Sequence, residues 1–273
     1  MRLSLSSFIY LNFPLAEAIR RIAQAGYDGI DIWGGRPHAY RRDLSQLETA
    51  ELKQLIKDCG LTVASFIPAQ FRYPTSLCSP NEVIRKDSVA YIQDSIRTAA
   101  ELGAPIVSVC PGHSLFGQTV GNAWDNLRLS LEVICDFAAL YGLRVALEPA
   151  DRYETDIVQT VADGMRLIAE LDRPNLGIVL DSGHANVCGE PLERAIITAN
   201  DRLFHVHIDD NDGLRDQHLI PGQGSIDFAG FFHALEKAKY QGFIGVELGW
   251  DVTVDPDPAA RQALEVIRSF WPT

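Results

Sequence analysis

Along this chain, short runs of β-branched and aliphatic residues alternate with longer stretches whose apolar positions return every three to four residues, and several of those stretches close on glycine. "RLSLSSFI" reads as a strand. "LAEAIRRIAQAG" reads as an amphipathic helix stopped by Gly26. "GIDIW", a helix closing on "LKQLIKDCG", and "LTVASFI" repeat the theme. It continues through "VIRKDSVAYIQDSIRTAAELG", "PIVSVC", "AWDNLRLSLEVICDFAALYG", "LRVALE", "TVADGMRLIAELD", "LGIVLD", a helix near Leu192 to Asn200, "LFHVHI", "FAGFFHALEKAKYQG", "FIGVEL" and "AARQALEVIRSFW". Strands that alternate with helices pair in parallel through right-handed crossovers. About eight such units, with no linker, low-complexity tract or shift in composition, predict a single α/β domain over residues 1–273 folded as a (β/α)8 TIM barrel rather than an open sheet.

A barrel places reactive side chains at the C-terminal ends of its strands or in the loops that follow. Glu148 ends "LRVALE", Asp181 ends "LGIVLD", His207 sits near the end of "LFHVHI" and Glu247 near the end of "FIGVEL". One acidic residue in such a place reads equally well as solvated or salt-bridged. Four ligand-type side chains delivered to one rim by the fifth to eighth strands read as a metal site. Oxygen-rich ligation with one imidazole suits Mn2+, Co2+ or Mg2+ and lacks the thiolates of a structural zinc site, although zinc stays open. A hydroxyketone chelated to such an ion has an acidified C–H, because the ion stabilises the enediolate that forms. A carboxylate on each face then makes an epimerase, and one carboxylate shuttling between adjacent carbons makes an isomerase. Glu148 and Glu247 are the candidate pair.

Composition narrows the partners. With 24 Lys+Arg against 36 Asp+Glu, a formal charge of -12 repels phosphate backbones and anionic lipid, so nucleic acid and membrane surfaces are not expected. Five scattered cysteines, never spaced Cys-x-x-Cys, read as buried reduced thiols of a cytoplasmic protein. "MRLSLSSFIYLNFP" has one early cation and serine-broken apolar character, so it reads as a first strand rather than a signal peptide. No apolar run approaches the roughly 18 residues of a membrane span.

The four ligand positions, with "LEP", "DSGH", "HVHID" and "GVEL", resemble the sugar isomerase/epimerase branch of the xylose isomerase-like TIM barrels, which includes ketose 3-epimerases of the tagatose and psicose type. The resemblance runs along essentially the whole chain. "YDGIDIWGGRPHAY", "RYETDIV", "RDQHLIPGQG" and the tail from "VEL" through "ARQALEVIRSF" are similar to the fructoselysine 3-epimerase type. It implies metal ligation by Glu148, Asp181, His207 and Glu247, with Glu148 and Glu247 as the acid/base pair acting on C3 through a cis-enediolate. It further implies that Glu154 hydrogen-bonds substrate hydroxyls and that His184 meets a substrate oxygen. Arg215 becomes a substrate contact, at a spacing from His207 two residues longer than in the tagatose-type enzymes. The fructoselysine type itself expects neither His184 nor Arg215. Family members are often dimers or tetramers, and "FGQTVGNAW" and the tail "SFWPT" are candidate interface segments.

The densest stretch is "HVHIDDNDGLRDQHLIPGQG". His205 and His207 share one face of a strand; His207 is the ligand, and His205, one layer deeper, reads as an interior histidine. Asp216 and His218 form an Asp-x-His like that of the related endonuclease IV branch, which holds three zinc ions. They are candidates for a second metal or for substrate contact. Cys110 stands where that branch has a histidine, and "FIPAQF" supplies none, so a trinuclear site is not expected. "PGQG" offers backbone N–H groups that a phosphate could use, or simply a turn. In "WGGRPHAY", Trp33 can stack on a sugar while Arg36 and His38 offer contacts at the rim. His113, after the fourth strand, reads as pocket lining or a solvated loop residue. Phe71, Tyr73 and Tyr91 read as core or pocket wall. An aldose–ketose or inosose isomerase and a ring-ketone dehydratase fit the same metal site. An abasic-site phosphodiesterase and a non-catalytic sugar-binding barrel are the alternatives from other classes.

Overall fold

The computed structural model describes residues 1–70 and 75–271; Phe71 and Tyr73 lie outside the described residues. Strands β1 (Arg2–Ser6), β2 (Gly29–Gly34), β3 (Thr62–Pro68), β4 (Ile106–Val109), β5 (Arg144–Leu147), β6 (Leu176–Asp181), β7 (Leu203–Ile208) and β8 (Phe243–Val246) pair in parallel in that order. β8 returns to β1, so the barrel closes. Around it run α1 (Leu15–Ala25), α2 (Gln46–Asp58), α3 (Glu82–Leu102), α4 (Val120–Ala139), α5 (Val161–Leu171), α6 (Ser182–Cys188), α7 (Leu192–Ala199), α8 (Phe228–Lys237) and α9 (Pro256–Phe270). The (β/α)8 expectation is met.

Local chemistry explains where the elements stop. Gly26 closes α1 in the left-handed region at φ 95°, where a side chain would be strained. Ser45 with Glu48 and Thr160 with Asp163 form capping boxes that start α2 and α5. The apolar faces of these helices pack on the strands: Ile19 and Ile22 of α1, Leu127 and Ile134 of α4, and Leu264 and Ile267 of α9 are all buried in one core. Tyr91 belongs to it, with its hydroxyl donating to the carbonyl of Gly34 at 3.3 Å.

Two expectations change, and a third gains detail. The first strand ends at Ser6, and Ser7–Tyr10 coil into a 3-10 turn whose start is held by the Phe8 N–H donating to Ser6 Oγ. Helix α6 was not foreseen. "SGHANVC" carries too few apolar positions to show a helical period, and the helix forms because the Asp181 carboxylate caps the N–H of His184 at 2.8 Å. The candidate interface segments divide. Phe116 and Val120 are exposed, while Phe270 stacks on Phe228 at 5.9 Å and Trp271 lies 5.5 Å from Phe232. Those two aromatics pack partly against the chain's own core. Among the described residues, no helix is long and apolar enough to cross a membrane.

Candidate metal and active site

Glu148 and Glu247 each follow directly on a strand, β5 and β8, while Asp181 is the last residue of β6 and His207 lies within β7. Pairing sets Asp181 level with His207, so consecutive strands deliver their side chains to one depth. One donor atom from each of the four lies within 4.8 Å of the others. His207 Nδ1 is 2.6 Å from Glu148 Oε1 and 3.1 Å from Glu247 Oε2, and Ser108 Oγ donates to Glu148 Oε2 at 2.9 Å. The group is rich in anions and enclosed by protein. Burial opposes a charge on His207, yet Glu148 and Glu247 outweigh it and hold its pKa at about 10. Burial also acts on both glutamates. The His207 charge nonetheless brings Glu148 down to about 2, whereas burial and the repulsion of Glu148 push Glu247 up to about 7. Protons thus stand in for missing positive charge. Three carboxylates and one imidazole, with no Lys or Arg among them, are the donor set a hard or borderline divalent cation takes.

One layer below, the same residue types behave differently. His205 is buried, with Nε2 2.9 Å from Asp31 Oδ1 in a close, off-axis contact. Asp31 also accepts from Ser4 Oγ at 2.5 Å and Ser65 Oγ at 2.6 Å. Burial would raise Asp31, but His205, His207 and the Ser4 hydroxyl together outweigh it and bring the pKa to about 2. This layer sets one imidazole against one carboxylate, and His205 is interior as expected, although neither of its ring nitrogens makes a hydrogen bond of good geometry. Asp31 was missed, although an aspartate inside the otherwise apolar "GIDIW" was a signal that something polar faces it across the barrel.

Beside the four-residue cluster lies a second one. His218 Nδ1 is 2.8 Å from Asp209 Oδ2, and its Nε2 is 3.0 Å from Asp216 Oδ2; His184 Nδ1 is 3.3 Å from that same oxygen and 3.7 Å from Asp151 Oδ2. Burial works against charge on both histidines, but the surrounding carboxylates hold their pKa values well above the usual range. Gly183 permits the arrangement, because a Cβ there would fall 2.3 Å from Asp209 Oδ1 and 2.5 Å from Asp216 Oδ1. The structure therefore joins His184, Asp216 and His218 and adds Asp151 and Asp209. The run "HIDD" carried Asp209 openly; only its depth was hidden.

Above both clusters opens a cleft of about 480 Å³, lined by Trp33, Glu154, His184, Arg215, Asp216 and His218 among others. Trp33 is largely buried and meets Phe8 edge-on at 5.0 Å. Phe8 in turn meets the exposed Trp250 at 4.8 Å, so three aromatic rings form one wall. Phe8 and Trp250 left no trace in the sequence pattern, since each follows a strand end with no periodic partner. No carboxylate or cation among the described residues pairs with the Glu154 side chain, whose pKa burial raises. Arg215 sits exposed at the mouth, the one Lys or Arg among the described lining residues.

Several candidates lie elsewhere. His113 Nδ1 is 2.8 Å from the carbonyl of Ser114 and 3.4 Å from Asp156, and it lines a separate cavity of about 120 Å³ rather than the cleft. His38 is not a rim contact. It is buried, 3.1 Å from Ser7 Oγ and from the carbonyls of Tyr10 and Phe13, and so clasps the first loop. Arg36 points out and pairs with Asp43 through Nε at 2.5 Å and a second nitrogen at 2.9 Å. The "PGQG" amides are taken: Gly222 and Gly224 donate to Asp210 Oδ2 at 2.8 and 2.7 Å, and Ile226 donates to Asp210 Oδ1. A buried carboxylate of the chain occupies the place a phosphate would need.

Comparison with known proteins agrees with this geometry. A family model described as "Xylose isomerase-like TIM barrel" matches residues 19–270. Fructoselysine 3-epimerase of Shigella flexneri is 31% identical over 259 residues, covering 95% of this chain and 94% of that protein. A 3-dehydro-D-guloside 4-epimerase of Escherichia coli (strain K12) is 31% identical over 268 residues, covering 94% and 96%. The solved apo structure of 3-keto-D-glucoside 4-epimerase from E. coli superposes with a TM-score of 0.84 at 26% identity, over 98% of this chain and 99% of that one.

Proposed function

Because the chain belongs to the xylose isomerase-like TIM-barrel family and is an isomerase of its epimerase kind, we propose that it is a metal-dependent epimerase acting at C3 of a ketose or ketosamine. The observation that carries this reading is the convergence of Glu148, Asp181, His207 and Glu247 into one buried, cation-deficient group at the C-terminal rim. These four residues would hold a divalent cation, Mn2+ or Co2+ before Mg2+ or Zn2+. When bound, such a cation supplies positive charge that stabilises the oxyanion developed as a C–H proton leaves.

The chain's own residues do the rest. Glu148, oriented by Ser108, takes the proton from C3 on one face. Glu247 returns a proton from the other face, and inversion at C3 follows. Glu154 and His184 receive hydroxyl groups of the sugar, while Trp33 and its aromatic neighbours cover the ring's apolar side. Arg215 closes the polar rim, and Asp216 with His218 serves substrate or a second cation. An abasic-site phosphodiesterase is disfavoured, because a cleft with a single Lys or Arg among its described lining residues, its histidines already matched by carboxylates, lacks the basic footprint that DNA requires.

Proton NMR in D2O tests the proposal on metal-loaded protein with fructose, psicose, tagatose, ribulose and fructoselysine. Deuterium at C3 together with the epimer is expected. Exchange at C1 with an aldose product would make the protein an aldose–ketose isomerase instead.

A further inference from the structure

The barrel has a second opening at the N-terminal ends of its strands, opposite the metal cluster. A cavity of about 590 Å³ there is lined by Arg2, Thr62, Ile106, Arg144, Leu203 and Phe243, the first residues of β1, β3, β4, β5, β7 and β8, and by the turn from α8 to β8 that carries Lys239. Every stretch that contributes to it lies within the described residues. This end of a barrel ordinarily serves stability. Its charge and its space point to something more.

Three cations line the cavity, Arg2, Arg144 and Lys239, against one carboxylate, Asp201. Although the chain carries a formal charge of -12, none of the three side chains makes an ion pair or a hydrogen bond among the described residues. Asp201 is met by Asn200 Nδ2 at 3.5 Å instead. The two arginines are held in the same way. Arg2 lies over the Phe243 ring at 4.0 Å, and Arg144 lies over the Phe204 ring at 4.7 Å. Each ring has its place because a glycine stands beside it: a Cβ on Gly29 would fall 2.6 Å from Phe243, and one on Gly177 would fall 2.4 Å from Phe204. The set of Gly, Phe and Arg thus occurs twice, across β8, β1 and β2 and across β5, β6 and β7. A guanidinium laid on a ring keeps its N–H edge free and has given up rotamer freedom in advance, which favours an oxyanion over solvent. Deeper in, His205 is 1% exposed and also lines the cavity, and its Nδ1 has no hydrogen-bond partner among the described residues.

We propose that this opening is a phosphate-binding site, separate from the ketose site and at the other end of the barrel. Arg2 and Arg144 hold the oxygens, Lys239 adds charge from the rim, and the His205 nitrogen is left to bond whatever reaches the inner end. The volume falls in the range of about 300–1,000 Å³ that small-molecule sites occupy, so there is room for an organic part beside the anion, along Val63, Ile106 and Phe204. Free phosphate and a phosphate monoester are the two sources to tell apart.

Calorimetric titration of the full, Mn2+-loaded chain with inorganic phosphate and with phenyl phosphate tests the site in wild type, R2Q, R144Q and K239Q, with thermal midpoints showing that each variant folds. One anion per chain should bind at this end, R2Q and R144Q should each weaken it by about tenfold or more, and K239Q should weaken it by about threefold or more. The tighter of the two probes identifies the source, an ester if phenyl phosphate leads and the free ion if it does not. An anion held at the metal cluster would ignore all three substitutions, so equal affinity in wild type and variants overturns the proposal. Absence of binding by either probe up to about 10 mM overturns it too. If the arginine variants do not fold, K239Q decides, because Lys239 lies in an exposed turn: unchanged affinity in that variant overturns the site.

Discussion

Two histidines on β7, His205 and His207, lie two residues apart on the same face, and their surroundings are opposites. His205 faces one carboxylate, Asp31, that two serine hydroxyls also serve. His207 faces two glutamates in a group of three carboxylates. In the lower layer one imidazole faces one carboxylate that two hydroxyls also hold, so opposite charges are matched one to one. In the upper layer acceptors outnumber donors and protons make up the deficit. A buried surplus of negative charge is costly unless something neutralises it. That imbalance, more than the presence of histidine or acid, separates a binding layer from a structural one.

The sharpest break of this comparison is Glu148→Gln. Loss of the base should lower kcat by roughly 10³–10⁴-fold in steady-state NMR assays while ketose KM changes little. A variant retaining a tenth of wild-type kcat would remove Glu148 from the proton transfer.

In the lower layer, Asp31→Asn leaves His205 facing a neutral amide and should cost about 3–5 kcal/mol of folding stability in urea titrations. The protein that remains folded should keep kcat/KM within about tenfold. If activity falls as far as in Glu148→Gln with stability intact, the two layers are one functional unit and the contrast fails.

Chelation probes the upper layer alone. Removing the cation should abolish turnover. Restoring Mn2+ or Co2+ at 100 times its Kd should stabilise the fold by about 2.7 kcal/mol, a rise in thermal midpoint of roughly 5–10 °C at this chain length. A midpoint indifferent to every divalent ion would count against the four-residue site.

The smallest effect is in the pH profile of the metal-free protein. Glu247 titrates at about 7 in the fold against an ordinary value near 4.5, so the folded state binds the extra proton. Its contribution is fully present below about 4.5 and is lost as pH rises through about 7. Asp31 has the reverse sign. Its folded pKa of about 2 lies below the ordinary 3.8, so its contribution is present above about 4 and lost only as pH falls through 2. Thermal midpoints should therefore decline from pH 5 to pH 8 without metal, and loading the site should flatten that decline. A midpoint that rises over the same interval would contradict the assigned charge states.

Much of this was legible in the chain. Alternating apolar periods identified the barrel, and the barrel's polarity singled out Glu148, Asp181, His207 and Glu247 from 36 acidic residues and 7 histidines. The period of two put His205 and His207 on one face, and His207's place nearer the C-terminal rim ranked it over His205. Pattern could not foresee helix α6, which depends on Asp181 capping His184 rather than on its own periodicity. Nor could it tell that "PGQG" encloses Asp210 or that His38 clasps the first loop, since both rest on contacts between distant or folded-back segments.

The sequence by itself determined the barrel, the rim on which chemistry occurs and the residue types that stand there, because period, helix stops and strand ends are local properties of the chain. Only the tertiary structure decided which acid is pushed up and which down, which histidine faces a single carboxylate and which amides are already occupied. It also decided that a cavity opens at the other end of the barrel. Those are sums over neighbours from different strands, and a surplus or a cavity exists only once all the contributors have been brought to the same place.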